Sequence, residues 1–222
     1  MSTTPWVEVD RYLDEVLIGR DEVLDSVLQA CQDAGLPAIS VSAAQGKFLQ
    51  LLARIKGARR ILEIGTLGGY STIWLARALP ADGTLVTLEM DAKHAAVAES
   101  NIVAAGMGPR VDVRVGRALD LLAQMEAAGE QPFDLVFIDA DKPSNPDYVS
   151  WSLRLGRQGT VIVVDNVVRE GAVIDDSRED ATVSGIRAMN ELIADEPRLS
   201  ATTLQTVGAK GYDGFTLAVI DA

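Results

Sequence analysis

The chain has a single cysteine, Cys31, and a single histidine, His94. One thiol cannot close an internal disulfide, and these two residues alone cannot build a Cys/His zinc cage. Cys31 reads as a helix-packing thiol, and such sparse cysteine suits a reducing, cytoplasmic setting. His94 falls in a helix after the second strand and reads as a surface residue. No apolar run approaches the roughly 20 residues that span a bilayer. The first residues, Met-Ser-Thr-Thr-Pro-Trp, lack the basic start and apolar stretch of a signal peptide, so none is expected. Cations are in the minority: 20 Lys and Arg stand against 32 Asp and Glu, a formal charge of −12. A field of that sign repels phosphate backbones, so neither nucleic acid nor a membrane is an expected partner.

What is present points to one large domain over residues 1–222. Apolar residues make up 48% of the chain, enough for a sizeable core. Two short amphipathic helices are expected up to about Ala34, with Val23, Leu24, Val27 and Leu28 at helical spacing. A third is expected from Ser42, a candidate N-cap, to about Lys56, with Phe48, Leu51, Leu52 and Ile55 on one face. From Arg60 apolar runs alternate with helical patterns. The strands expected are Ile61–Ile64, Leu85–Leu88, Val111–Val115, Leu135–Ile138 and Val161–Val164. Two more, Ala201–Val207 and Phe215–Ile220, flank a loop between Gly208 and Gly214 with no helix between them. The pattern predicts a doubly wound α/β fold, a mostly parallel seven-stranded sheet whose last strand is antiparallel. Trp6, Trp74 and Trp151 read as core or interface residues.

In such sheets ligands bind beyond the carboxyl ends of the strands. After the first strand comes Glu63-Ile-Gly-Thr-Leu-Gly-Gly69. Its glycines admit a close ligand, but their spacing is not that of a pyrophosphate loop, which disfavours a nicotinamide dehydrogenase. Glu63 favours a cationic or hydroxyl-rich ligand; a tight turn without a ligand is the alternative. After the second strand, Glu89 can accept both hydroxyls of a ribose, and Asp91 reads as a helix cap. After the third, Ala118 leaves room for an adenine ring or simply opens a helix. After the fourth and fifth come Asp139-Ala-Asp141-Lys142 and Asp165-Asn166. Neighbouring strands lie about 4.8 Å apart, so Asp139 and Asp165 can converge. With Asn166 they offer three oxygens to a hard cation such as Mg²⁺ or Ca²⁺; otherwise they cap turns.

Taken together, Leu62-Glu-Ile-Gly-Thr-Leu-Gly-Gly-Tyr-Ser71, Phe137-Ile-Asp-Ala-Asp-Lys142, Val164-Asp-Asn166 and Lys210-Gly-Tyr-Asp-Gly-Phe-Thr-Leu217 resemble the cation-dependent class I O-methyltransferases. That family includes the caffeoyl-CoA and catechol enzymes and their bacterial relatives. The likeness runs from about Ile39 to the last strand and implies a Rossmann-like domain. It implies that Val41, Glu63, Gly65, Thr66, Ser71, Glu89, Ala118, Asp139 and Asp141 bind S-adenosylmethionine (SAM). It implies that Asp139, Asp165 and Asn166 hold a divalent cation, Mg²⁺ first, then Ca²⁺ or Mn²⁺. Lys142 matches the family's general base: it would take the proton of the attacking hydroxyl once burial or the cation has freed its amine. The acceptor implied is a small vicinal dihydroxy aromatic. Alternatives are a hydroxylated tRNA base, or a SAM-binding protein without turnover. Arg169 and Glu170 stand where the plant enzymes carry Trp and Asn, and Pro143-Ser-Asn-Pro146 replaces another plant segment. Both changes line the expected acceptor entrance and point from caffeoyl-CoA toward a polar acceptor. A homodimer is implied, with residues 1–40 serving as lid or dimer contact.

Overall fold

The computed structural model describes residues 5–175 and 177–221. Strands buried on both faces of a sheet are mostly apolar, as in β4 (Leu135–Ile138) and β5 (Val161–Asp165). β1 (Arg60–Ile64) and β2 (Thr84–Glu89) are buried as well but carry Glu63, Thr87 and Glu89, and β3 (Val111–Val115), at the sheet's edge, alternates Val with Asp112 and Arg114. β6 (Leu199–Gly208) and β7 (Gly211–Ile220) complete a sheet of order β3-β2-β1-β4-β5-β7-β6. β1 to β5 pair in parallel, whereas β7 runs antiparallel to both β5 and β6. This is the doubly wound, Rossmann-like sheet the sequence predicts. The last two strands run further than expected and use up most of the anticipated loop, because Gly208 pairs directly with Gly211.

The pleat sends alternate residues to two helical layers. Ile61, Leu85, Leu135, Phe137 and Val163 pack against α2 (Glu22–Asp33), α3 (Ala43–Lys56), α4 (Tyr70–Ala76) and α5 (Ala92–Ala104). Leu62, Ile64, Val86, Val136, Ile138 and Val164 pack against α6 (Ala118–Ala127), α7 (Asn145–Leu155) and α8 (Ala181–Asp195). At the N-terminus, α1 (Pro5–Leu13) runs into a π-helical turn over Asp14–Ile18. Ser42 Oγ accepts the Gln45 N–H and Asp91 Oδ1 those of Lys93 and His94, so both are the expected caps. Helix α7 opens three residues earlier than expected, because Pro146 lies in its first turn, where no backbone donor is required.

Two helix faces depart from the apolar pattern. In α3 the buried residues are Gly46, Leu49 and Ala53, while Leu51 and Ile55 point outward. The small residues let α4 come close: a methyl at Gly46 would sit 2.3 Å from Trp74 Cδ1. In α2, Leu24, Val27 and Cys31 are buried and Val23 and Leu28 exposed. Trp74 is buried, Trp151 stacks under Arg154, and Trp6 is exposed. Among the described residues no helix is long and apolar enough to cross a membrane.

Candidate active site

The strand order turns back between β1 and β4, and the crevice beyond their carboxyl ends is where a ligand fits. A cleft of about 790 Å³ opens there. Val41, Gly65, Thr66, Ser71, Glu89, Ala118, Asp139, Asp141, Lys142 and Asn166 all line it. A second cleft of about 500 Å³ shares Val41, Asn166 and Arg169 with the first and has Asp165 in its wall. Glu63 lines neither.

The loop after β1 is shaped by its neighbours. Gly65 has φ +98°, and a Cβ there would lie 2.1 Å from the Asp139 carbonyl oxygen, so the loop rests directly on the start of the next site. Glu89, nearly buried, accepts N–H bonds from Thr66 (3.2 Å), Leu67 (2.8 Å) and Asp91 (2.9 Å). It thereby ties the loop to β2 while facing the cleft. His94 stands beside it, Nδ1 3.8 Å from Glu89 Oε1, and also lines the cleft. His94, expected at the surface, is part-exposed in the wall of this cleft, in the first turn of α5 that Asp91 caps.

Glu63 is wholly buried and accepts bonds from the hydroxyls of Ser71 (2.6 Å), Thr72 and Thr87 (2.7 Å). Burial pushes its carboxyl up to about 7, against the opposing pull of those hydroxyls. Its geometry supports the loop from beneath.

At the other end, Asp139 follows β4 and Asp165 closes β5, with Ile138 opposite Val164 in the register. From these adjacent strand ends the charge of Asp139 acts on the Asp165 carboxyl. Asp165 is 5% exposed, and its carboxyl is pushed up to about 7, first by burial and then by the charge of Asp139. Lys142, Gln45 and the Asn166 N–H (2.9 Å from Oδ1) oppose that rise. Lys142 is buried, with Nζ 3.1 Å from Asp139 Oδ1. It pairs with Asp139 rather than Asp141, whose carboxylate accepts from Ser144 Oγ and Tyr148 Oη. Asn166 takes a left-handed φ of 56°, a conformation Asn tolerates, at the seam of both clefts.

Besides His94, sequence reasoning passes over Gln45, which hydrogen-bonds Asp165, and Tyr148. Both are helix residues, which the strand-end rule does not reach. The three-residue step from the Ser42 cap was the available signal for Gln45.

Comparison with known proteins completes the picture. A family model described as O-methyltransferase matches residues 15–219. The chain belongs to the O-methyltransferase family. The enzyme is 50% identical over 220 residues to a catechol O-methyltransferase of Niastella koreensis, covering 99% of this chain and 100% of that one. Its fold superposes with a TM-score of 0.96 on an O-methyltransferase from Bacillus cereus in complex with SAH, 60% identical, covering 97% and 98% of the two chains. The same TM-score relates it to TomG from Streptomyces achromogenes, an O-methyltransferase involved in tomaymycin synthesis, in complex with SAM. That pair is 51% identical over the full length of both chains.

Proposed function

We propose that the enzyme moves the methyl group of SAM to one hydroxyl of a small vicinal dihydroxy aromatic, with a divalent cation. The observation that carries this reading is the meeting of Asp139, Asp165, Asn166 and Lys142 where the two clefts join. The donor reading is supported by the SAH and SAM carried by the two similar structures, and the acceptor reading by the Niastella koreensis enzyme's name.

The donor set fits a hard cation. Among the described residues no three His, Cys, Asp or Glu side chains gather into a cage. The set here is two carboxylates and an amide oxygen, all hard donors. A carboxyl raised toward neutrality by burial and then by its neighbour's charge is an arrangement that added positive charge relieves. When bound, the cation supplies a Lewis acid that lowers the pKa of two adjacent hydroxyls and fixes their direction.

The chain does the rest. Gly65 and Ser71 admit the donor at the first cleft, Glu89 accepts its ribose hydroxyls, and the N-terminus of α6 at Ala118 bounds the adenine. Val41 borders both clefts, where donor and acceptor meet. Lys142 Nζ, in its neutral amine form, would take the proton of the attacking hydroxyl and become an ammonium, and Asp139, 3.1 Å away, orients it. Much of the rate comes from alignment of the two reactants.

The test is substitution of the acids. Asp139→Ala and Asp165→Ala are each expected to abolish methylation of catechol while calorimetry still registers SAM binding. Turnover retained by either variant in the presence of a chelator refutes the metal reading. A screen that includes tRNA and finds turnover there alone refutes the acceptor.

A further inference from the structure

The run Lys210-Gly-Tyr-Asp-Gly-Phe-Thr-Leu217 spans the β6–β7 turn and most of β7. None of its residues belongs to the donor set or to the SAM contacts above, yet one of them reaches the loop after β5. That loop is bent against the preference of L-residues. Asn166 (φ 56°), Arg169 (φ 55°), Glu170 (φ 56°) and Gly171 (φ 86°) are all left-handed. Asn and Gly tolerate this region, whereas Arg and Glu seldom enter it. Such a backbone persists only where its surroundings over-determine it.

The surroundings are β7. The Val167 N–H donates to the Gly214 carbonyl at 3.1 Å. The N–H groups of Val168 and Arg169 both donate to Asp213 Oδ1 at 2.9 Å, and that of Gly214 joins them at 3.0 Å. One carboxylate oxygen thus collects three backbone donors, two of them from the loop. Strand and loop are pressed together here: a Cβ on Gly214 would lie 2.4 Å from the Leu204 carbonyl oxygen and 2.6 Å from Val168 Cγ2. Val167 and Val168 are buried, so the loop cannot lift from β7 without exposing both. Asp213 Oδ2 also stands 3.8 Å from the Arg169 guanidinium, a part-exposed ion pair of little expected weight.

Asn166 is the residue this clamp steadies. Its own N–H is held by Asp165 Oδ1 at 2.9 Å, and the N–H that follows it by Gly214. Its side-chain amide makes no hydrogen bond among the described residues, so the backbone alone sets where that amide stands.

We infer that Asp213 is a positioning residue for the cation: by fixing the Val168–Arg169 bend it keeps the Asn166 amide oxygen in the donor set with Asp139 and Asp165. This rests on the cation reading above and adds to it a residue that does not touch the ion. Outer partners that orient metal ligands commonly carry about 10–100-fold of the metal affinity.

The test separates the place of the accepting oxygen from its charge. Asp213→Asn keeps an oxygen at that place and removes the charge. Asp213→Glu keeps the charge and moves the oxygen by a methylene. The readouts are the Kd of Mn²⁺, from the paramagnetic resonance signal of the free ion with S-adenosylhomocysteine present, and the Kd of S-adenosylhomocysteine by calorimetry without metal. Asp213→Glu should weaken Mn²⁺ binding about tenfold, the lower end for an outer partner of a ligand. Asp213→Asn should keep most of the affinity, and neither variant should change the Kd of S-adenosylhomocysteine. Asp213→Ser, as neutral as Asn but too short to reach the loop, should lose Mn²⁺ as Asp213→Glu does and stands in for it if that variant does not fold. An unmoved Mn²⁺ Kd in Asp213→Glu and Asp213→Ser overturns the inference. So does a loss in Asp213→Asn that equals or exceeds theirs, which would assign the effect to charge. Equal losses for Mn²⁺ and S-adenosylhomocysteine would make the clamp a support of the whole fold and also overturn it. If wild type binds no Mn²⁺, the cation reading falls and this inference with it.

Discussion

Glu63 shows how a residue placed for one reason can be measured for another. Its carboxyl titrates near 7 in the folded chain against an ordinary value of 4.5, because burial disfavours the charge. The folded state therefore holds this proton to higher pH than the unfolded state does. The stability it confers is complete below about pH 4.5 and is lost as pH rises through 7, a change on the order of 3 kcal/mol. Glu63→Gln should flatten that part of the profile, since the amide is neutral throughout. Urea denaturation of both proteins between pH 4.5 and 8 checks this; parallel profiles would mean Glu63 is not the group responsible. Lys142 is tested differently. Lys142→Met should lower kcat by about 10²–10⁴ with SAM affinity nearly unchanged, as removal of a general base does. An unchanged kcat would move that role to another group.

At the scale of elements, α8 fixes the turn that carries Lys142. A methyl at Gly185 would lie 2.3 Å from the Lys142 carbonyl oxygen and 2.6 Å from Pro143 Cα. Gly185→Ala is thus expected to cost about 1–3 kcal/mol in denaturation and to reduce kcat by shifting Lys142. An active, equally stable variant would show that the contact yields freely. The same scale separates what could be read in the sequence from what could not. Strands such as Leu135–Ile138 were legible because burial on both faces leaves an unbroken apolar run. The acids at strand ends followed from strand order alone. The buried face of α3 was not legible, because close packing there selects Gly46 and Ala53 over the larger Leu51 and Ile55. Nor was the approach of His94 to Glu89, which joins α5 to the end of β2. That Glu63 faces three hydroxyls rather than the cleft is set by side chains on β2 and α4, distant in sequence.

For the whole molecule, the N-terminal elements leave a broad apolar surface. Val9, Tyr12, Val16 and Leu17 are more than half exposed on α1 and the turn that follows, with Trp6 beside them. Asp10 meanwhile anchors α1 to the β6–β7 turn through the Ala209 N–H at 2.7 Å. An apolar patch held this firmly suits a partner, and we propose that a second copy of the chain covers it. Leu17→Asp should shift the mass in analytical ultracentrifugation from dimer toward monomer; a wild-type monomer at micromolar concentration contradicts the proposal.

In the function proposed, methyl transfer to a vicinal diol depends on a divalent cation held by Asp139, Asp165 and Asn166. Its most direct test is the initial rate of catechol methylation from SAM after exhaustive chelation, then after Mg²⁺ is added back. The expected result is loss of turnover on chelation and full recovery with Mg²⁺. Equal rates before chelation, after it and after repletion would contradict the claim.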